Sequence, residues 1–423
     1  MRKANFLREQ VDKLKPYVEN NKLLHTVFDG FDTFLFAPSE TTESRTHIKD
    51  GIDLKRTMVY VVLAMVLCAL HGVFNVGHQH YNSLGLYPNL TDGILWKALY
   101  GILQFIPAFV VVHLVGLGIE FIFAARKGHP IEEGFLVSGF LIPLIMPPDL
   151  PLWMLAVSVA FAVIIAKEAF GGTGMNILNI ALTARVFVFF AHPTFMSGDE
   201  CWVSQDYNLL HTLAGVKAHT LGMLGLDSVP FEGGWKSLIV DGFTGATPLG
   251  LAAKGGWESV MQHYTVKDMI LGFIPGSVGE MNKIVIIIGA LLLALSKIAS
   301  WRIMVGMILG TIVMGLLINL IGGQYQDNLF LQVPWYYHLI MGSFLFSMAF
   351  MATDPVTGAQ TDAGKWIYGF LIGFCGIIIR VLNPAYPEGW MLAILLLNVF
   401  APLIDHVIVN RNIKRRLARV RQS

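Results

Sequence analysis

Ten apolar segments, separated by polar or helix-breaking residues, constrain this chain more than any other feature. A helix needs roughly 20 mostly apolar residues to cross a bilayer. Hydrophobic residues make up 54% of the 423 residues and charged residues only 14%, well below the roughly 25% charged residues of soluble domains. The sequence therefore predicts an all-α polytopic membrane protein of about ten transmembrane helices. The predicted spans are 57–78, 97–124, 133–147, 152–168, 176–192, 283–299, 302–322, 336–352, 366–382 and 388–408.

The distribution of Lys and Arg predicts how these spans are oriented. Ten of these residues precede Thr57 and six follow Val409, whereas the connections 79–96 and 323–335 contain none. Basic residues concentrate on the cytoplasmic side of membrane proteins. We therefore expect both termini in the cytoplasm, an even number of spans, and the long loop 193–282 outside the cytoplasm. The net charge of +1 gives no indication of nucleic-acid binding.

The two halves of the chain resemble each other in sequence. SGFLIPLIMPPDLP at 138–151 aligns with GSFLFSMAFMATDP at 342–355, and residues 164–187 align without gaps with residues 377–400. Five spans in each half make the second half enter from the opposite face, so the predicted fold is two inverted five-helix repeats. Pro- and Gly-rich breaks recur at corresponding positions and mark where a site could form between interrupted helices. They could also simply end helices at the surface.

These features divide the chain into five predicted parts. A cytoplasmic N-terminal segment covers 1–56, and a basic cytoplasmic tail covers 409–423. The transmembrane halves are 57–192 and 283–408. The connection 193–282 is the only long loop predicted outside the cytoplasm.

That loop contains the stretch DGFTGATPLG at 241–250. Thr, Gly and Pro are ordinary loop residues, so T-G-A-T alone favours a loop without special chemistry. The stretch GFIPGSVGE at 272–280 follows shortly before the next span. The context of both stretches, more than the four residues, makes this loop the most informative part of the chain.

Several further stretches carry a resemblance that covers nearly the whole chain. The chain is similar to the family of B subunits of the Na⁺-translocating NADH:ubiquinone oxidoreductase, a bacterial respiratory pump. Besides the two loop stretches, the matching segments are DLKR at 53–56, KEAFGGTG at 167–174, SGD at 197–199, ASWRI at 299–303, FMATDPV at 350–356, NPAYPEG at 383–389, FAPLIDH at 400–406 and RNIKRRLAR at 411–419.

The resemblance implies a covalent flavin on Thr247. In that family the last Thr of the S/T-G-A-T motif carries FMN through a phosphoester bond. Asp241, Thr244 and Gly245 would then be the surrounding motif rather than the attachment point. The bond is made by a periplasmic flavin transferase, which agrees with the orientation derived from the charges.

The resemblance also implies a second, non-covalent flavin. Asparagines at the positions of Asn176 and Asn179 are similar to contacts of a riboflavin near the cytoplasmic side. The two lie three residues apart, which on a short helix places them on one face. Capping of that helix by Asn176 is a purely structural alternative.

Two carboxylates and a glycine complete the implied sites. Ionisable residues inside spans are functional candidates because burying them is costly. The family implicates Glu120 and Asp405 in Na⁺ uptake, and a Gly pair at Gly116 in quinone binding, although Leu117 replaces the second Gly here. Gly118 restores a small residue one position later. Structurally, Glu120 could be a paired carboxylate and Asp405 could be balanced by the basic tail.

Asp354 and Arg380 are further functional candidates inside the membrane. Arg185 and Arg380 could also pair with acids across the bundle, which would be a structural role. The three cysteines and the membrane histidines lack a complete ligand set, so no metal site is predicted.

The resulting expectation is a membrane electron-transfer subunit in the bacterial inner membrane. Electrons from NADH would enter through other subunits, because this chain has no dinucleotide-binding βαβ unit. They would pass through FMN and riboflavin to ubiquinone, coupled to Na⁺ export. One alternative is the homologous D subunit of a ferredoxin:NAD⁺ reductase complex. Another is a channel or transporter for a small polar solute, without a redox role.

Overall fold

The computed structural model describes Lys13, Phe28 and residues 54–83, 87–127, 134–196, 201–204, 245–323, 328–383 and 388–422. Within these residues every regular element is helical and no strand occurs. The helices are α1 (Leu54–Ser83), α2 (Ile94–Lys127), α3 (Phe135–Ile145), α4 (Leu152–Phe161), α5 (Ile180–Ala191), α6 (Pro248–His263), α7 (Val266–Leu271), α8 (Lys283–Leu295), α9 (Trp301–Gly322), α10 (Tyr337–Ile340), α11 (Phe344–Phe350), α12 (Asp362–Leu382) and α13 (Trp390–Gln422).

The predicted all-α polytopic membrane fold is confirmed. Six described helical segments are long and apolar enough to cross a membrane: α1, α2, α9, α12, α13, and α4 together with the π-helical and 3-10 turns that extend it to Phe170. Helices α3, α5 and α8 are shorter apolar helices. The predicted span 336–352 corresponds to the pair α10 and α11. Large apolar side chains such as Leu295 and Leu320 are about four-fifths exposed, as expected where lipid surrounds the protein.

The boundaries of two predicted spans differ from the structure. The span predicted to begin at residue 176 begins as a helix only at Ile180, because Gly171, Gly172 and Gly174 hold the preceding backbone at positive φ. Helix α13 continues from the last span through the basic tail to Gln422. Arg, Lys, Leu, Ala and Gln, all good helix formers, supply nine of the 14 residues from Val409 to Gln422.

The order of helix packing repeats between the halves. Helix α2 packs on α4 as α9 packs on α12, α4 packs on α5 as α12 packs on α13, and α1 packs on α3 as α8 packs on α11. The equivalent helices α1 and α8 meet each other, as do α5 and α13. The two halves are therefore joined along pairs of corresponding helices.

Glycines allow the closest of these contacts, between α9 and α12. A Cβ atom added at Gly310 would lie 2.0 Å from the Phe370 carbonyl oxygen, and one at Gly373 would lie 2.1 Å from the Met307 oxygen. Small residues spaced four apart let transmembrane helices approach backbone to backbone. Helix association here relies on van der Waals contact along that small-residue surface.

The interrupted helices keep their backbone groups hydrogen-bonded inside the protein. The Leu144 oxygen, at the end of α3, accepts from the Gly279 N–H at 2.8 Å, and the next oxygen, of Ile145, accepts from Arg185. Between α10 and α11, Gly342 adopts φ +65°, and its oxygen accepts from Lys283 Nζ at 3.1 Å. Irregular backbone is tolerated at membrane depth only with such partners.

The candidate sites lie on two faces of the bundle. The loop face carries α6, α7, residues 201–204 and the end of α1. There His80 Nδ1 lies 2.5 Å from the Ser204 oxygen. The tail face carries the ends of α2 and α4 and the start of α12. There Lys127 contacts Glu168 at 3.1 Å, and Arg302 contacts Asp362 at 2.9 Å.

Candidate functional site

Thr247 lies on the loop face as the N-terminal cap of α6. Its backbone is extended, at φ −69° and ψ 156°, and its Oγ1 accepts a hydrogen bond from the Gly250 N–H at 3.1 Å. Pro248 follows at the first helical position, where a missing N–H costs nothing. Threonine is a preferred cap because its oxygen satisfies an N–H that the helix leaves free. The Thr247 side chain is buried but stands at the positive end of a helix.

The two residues before Thr247 are held in a defined turn. Gly245 adopts φ +57°, in the left-handed region that suits glycine. The Ala246 oxygen accepts from the Tyr264 hydroxyl at 2.9 Å. Burial raises the pKa of Tyr264, so its hydroxyl remains a neutral donor. Asp241 and Thr244, the other predicted motif residues, lie outside the described residues.

A cavity of about 440 Å³ opens beside this turn. Gly245 reaches its edge, and the end of α1, residues Pro88 and Leu90, and the region of α7 surround it. The lining combines two aromatic and two imidazole rings with amide and carboxylate side chains. Its members are His78, Gln79, Asn82, Pro88, Leu90, Gly245, His263, Tyr264, Asp268 and Phe273.

On the tail face, Glu120 forms a buried ion pair with Lys167. Glu120 comes from α2, and Lys167 ends the π-helical turn Ala162–Lys167 that follows α4. That turn brings the lysine toward α2 instead of letting it follow the α-helical path. The structure therefore gives Glu120 the paired arrangement that the sequence left open.

The glycine predicted for quinone contact is covered by a side chain. A Cβ atom at Gly116 would lie 1.9 Å from Cζ of Phe135, whereas one at Gly118 would meet nothing within 4 Å. Of the two, Gly118 presents the more open backbone. Gly116 lets Phe135 pack against α2.

Asn176 and Asn179 do not share a helix face as predicted. Asn176 lies in the irregular segment before α5, and its Nδ2 donates to the Leu178 oxygen at 3.2 Å. Asn179 is the residue that caps α5, accepting from the Leu182 N–H at 3.1 Å. Its Nδ2 also faces Asp354 Oδ2 at 3.4 Å. The capping role predicted for Asn176 thus belongs to Asn179.

Asp405 holds the start of α12 against α13. Its carboxylate accepts from the Gln360 N–H at 2.6 Å, from the Thr361 N–H at 3.0 Å and from the Thr361 hydroxyl at 2.5 Å. Thr361 in turn caps α12 by accepting from the Gly364 N–H at 3.1 Å. Within the described residues, the hydrogen bonds to Asp405 therefore come from residues 360–361 and not from the basic tail.

The predicted pairing of Arg185 with an acid is confirmed. Arg185 forms a buried ion pair with Glu388, which joins the first half to the start of the last helix. Arg380 donates to the His338 oxygen at 3.0 Å and lies 5.0 Å from the centre of the Trp390 ring. Its guanidinium is thus held by a carbonyl and an aromatic face, with Glu388 and Glu280 supplying electrostatic balance.

Comparison with known proteins shows the family of the chain. Residues 41–414 match the NQR2, RnfD, RnfE family. The chain belongs to this family. The B subunit of the Na(+)-translocating NADH-quinone reductase of Pseudomonas paraeruginosa is 41% identical, with 98% of this chain and 99% of that protein covered. The B subunits of the same reductase from Chromohalobacter salexigens and Azotobacter vinelandii are 40% and 39% identical, again over 98% of this chain.

Several residues at the sites described above could not be predicted, or only weakly, from the sequence. Lys167 stands inside the stretch KEAFGGTG, but nothing in its spacing indicates a partner 47 positions away. Tyr264 and Asp268 follow the stretch 241–250 by about one helix and lie in none of the matching stretches. Phe273 lies in GFIPGSVGE, but nothing in that stretch indicates a cavity. His78 belongs to the HQH sequence that ends the first span, so a polar residue at the end of an apolar run was its one signal.

Proposed function

We propose that this chain is the subunit of a Na⁺-translocating NADH:quinone reductase that carries FMN on Thr247 and passes electrons through the membrane. The observation that supports it most directly is the position of the Thr247 hydroxyl, at the N-terminus of α6 and beside the cavity. The relatives named above bear the corresponding subunit name. NADH oxidation then belongs to other subunits, and ubiquinone accepts the electrons.

The local chemistry of Thr247 fits a phosphoester. An esterified Oγ1 retains a lone pair and can still accept from the Gly250 N–H. The negative phosphate would lie at the N-terminus of α6, where free N–H groups and the helix dipole favour anions. Helix α6 runs from Pro248 to a kink at Gly256, which has φ +67°. FMN, when bound, supplies the redox chemistry, while the protein fixes its position and electrostatics.

The remaining sites are proposed with the same roles that the family implies, refined by the contacts. For riboflavin, Asn176 is the better candidate because the Asn179 side chain is already used by Leu182 and Asp354. For quinone, we place contact on the turn of α2 that contains Gly116, with Gly118 as its open position. For Na⁺, Glu120 and Asp405 are the candidate ligands, since hard cations prefer oxygen.

Topology is part of the proposal. We place both termini in the cytoplasm of a bacterial inner membrane, with Thr247 on the outer side, where a periplasmic flavin transferase can reach it. The charge distribution supports this orientation, with ten Lys or Arg before Thr57 and six after Val409.

The attachment is tested on denaturing gels of membranes from cells that contain the transferase. We expect a fluorescent band under ultraviolet light that is absent in Thr247→Ala and present in Thr247→Ser, which keeps both hydroxyl and cap. Thr244→Ala should stay fluorescent. A dark wild-type band, or a fluorescent Thr247→Ala band, would refute the attachment.

The alternative complex is the ferredoxin-linked one whose D subunit shares this family. Assays of the assembled complex in membranes separate the two. NADH-driven, Na⁺-stimulated quinone reduction supports the proposed function, and ferredoxin-linked activity supports the alternative. A non-redox solute channel predicts neither activity and no flavin.

A further inference from the structure

The ion pair of Glu120 and Lys167 keeps two opposite charges out of water. Less than a tenth of either side chain is exposed. Removing such a pair from water often costs more than its attraction returns, and apolar residues of similar volume are often at least as stable. Stability alone is therefore a weak reason for keeping both charges at this position.

A second lysine–carboxylate pair on the same face shows what burial changes. Lys127 Nζ lies 3.1 Å from Glu168 Oε2, and the Lys127 side chain is 36% exposed. Water and salt screen an exposed pair of this kind, so either charge can be left alone at little cost. At Glu120, by contrast, an uncompensated charge of either sign would lie in a low dielectric.

Charge balance limits how a Na⁺ ion can reach Glu120. An ion added to the intact pair would leave one net positive charge among carboxylate, ammonium and Na⁺, with little water to screen it. An ion that takes the place of the Lys167 ammonium keeps the site neutral before and after binding. Exchange of one cation for the other is therefore favoured over binding beside the lysine.

The backbone around Lys167 suits a side chain that leaves and returns. Lys167 ends the π-helical turn Ala162–Lys167, and such turns are rare and occur mostly at functional sites. Shortly after it, Gly172 and Gly174 adopt positive φ, and a Cβ atom at either would meet nothing within 4 Å. Packing at these two glycines therefore does not fix the segment that follows Lys167.

We propose that Lys167 is the exchange partner of Na⁺ at Glu120: the ion binds the carboxylate only as the Lys167 ammonium leaves it. Lysine suits this role because its compact ammonium stands on a flexible aliphatic stem. The Na⁺ affinity of the site then depends on how tightly Glu120 holds Lys167. This inference rests on the proposed role of Glu120 in Na⁺ uptake and adds the residue that sets the affinity there.

The first test measures Na⁺-dependent turnover of the assembled complex in membranes. Lys167→Gln should lower the Na⁺ concentration for half-maximal turnover, whereas a lysine that only supported the fold would not improve ion affinity when removed. If Lys167 occupies the ion-free site about nine-tenths of the time, the decrease is about tenfold. Lys167→Arg should raise the Na⁺ requirement, because a guanidinium can hold a carboxylate through two hydrogen bonds. Lys127→Gln is the matched control and should leave it unchanged.

A second test needs no turnover. The purified complex is heated in NaCl or in choline chloride at equal ionic strength, and an antibody measures the fraction of this subunit that stays soluble. Na⁺ should raise the midpoint temperature of Lys167→Gln more than that of wild type, because the ion replaces the missing ammonium. The double variant Glu120→Gln with Lys167→Gln should lose this difference between the salts. A difference that persists in the double variant would refute the exchange.

The outcomes separate this inference from the proposed function. If Glu120→Gln leaves the Na⁺ requirement unchanged, the proposed role of Glu120 fails and the exchange fails with it. If Glu120→Gln raises that requirement but Lys167→Gln does not lower it, the exchange alone is refuted. An equal decrease in Lys127→Gln also refutes it, since any lost positive charge on this face would then act alike. If Lys167→Gln does not assemble, Lys167→Arg decides, and an unchanged or lower Na⁺ requirement refutes the exchange.

Discussion

Glu120 and Asp405 are the same kind of group on the same face of the bundle, one in each half, yet their surroundings differ. Glu120 is 5% exposed and paired with Lys167. Asp405 is half-buried and accepts hydrogen bonds from Gln360 and Thr361. Lysine balances the first charge, whereas uncharged N–H and O–H donors hold the second. A cation can therefore approach Asp405 without displacing another cation, but at Glu120 it must compete with Lys167.

The largest effect is expected from breaking the Glu120 pair. Lys167→Met should lower the free energy of unfolding by about 3–5 kcal/mol, because it removes the cation from a buried carboxylate. The measurement is detergent-induced unfolding of the purified protein. The double variant Glu120→Gln with Lys167→Met should recover most of the loss, since it removes the charge as well. A double variant no more stable than Lys167→Met would show that the pair is not coupled.

A smaller effect, on ion affinity, is expected at Asp405. Asp405→Asn removes the negative charge while keeping the shape of the side chain. Losing ~1.4 kcal/mol of ion binding would raise the Na⁺ concentration for half-maximal turnover about tenfold. Asp362→Asn is the control, because Asp362 is an exposed carboxylate on the same face, paired with Arg302 at 2.9 Å. Equal Na⁺ dependence in wild type and Asp405→Asn would remove Asp405 from the ion pathway.

The smallest effect is expected at Thr361, which supports Asp405. Thr361→Ala should cost about 1 kcal/mol of stability, within the range for a lost helix cap. It also removes the hydroxyl donor to Asp405, so the Na⁺ requirement should rise less than in Asp405→Asn. Thermal unfolding and Na⁺ titration of the same preparation measure both. Thr361→Ser keeps the hydroxyl and should match wild type; if it behaves like Thr361→Ala, the hydroxyl is not the cause.

Much of the fold could be predicted because the hydropathy of a span depends only on its own contiguous residues. Each predicted span overlaps a helix or, for 336–352, the broken pair α10–α11. The start of α5 was misplaced by four residues because the apolar pattern does not show where a glycine-rich segment ends. The side chain of Asn179, not the periodicity, sets that start through its bond to the Leu182 N–H.

The candidate sites were predicted less completely. Thr247 was predicted from a short contiguous stretch. The cavity beside it was not, because His78 and Tyr264 are 186 positions apart in the sequence and meet only in the folded bundle. The pairing of Arg185 with an acid could be expected from the cost of a buried charge, but not the choice of Glu388.

The sequence by itself determined the membrane class, the positions of the apolar segments, the repeat and the family. These depend on composition and on contiguous residues, which are fixed before the chain folds. The tertiary structure alone decided that Lys167 pairs with Glu120, that residues 360–361 hold Asp405, and that side chains from α1 and from residues 263–273 line one cavity near Thr247. Such contacts depend on how broken helices from two halves pack, and no local pattern encodes which side chains that packing brings together.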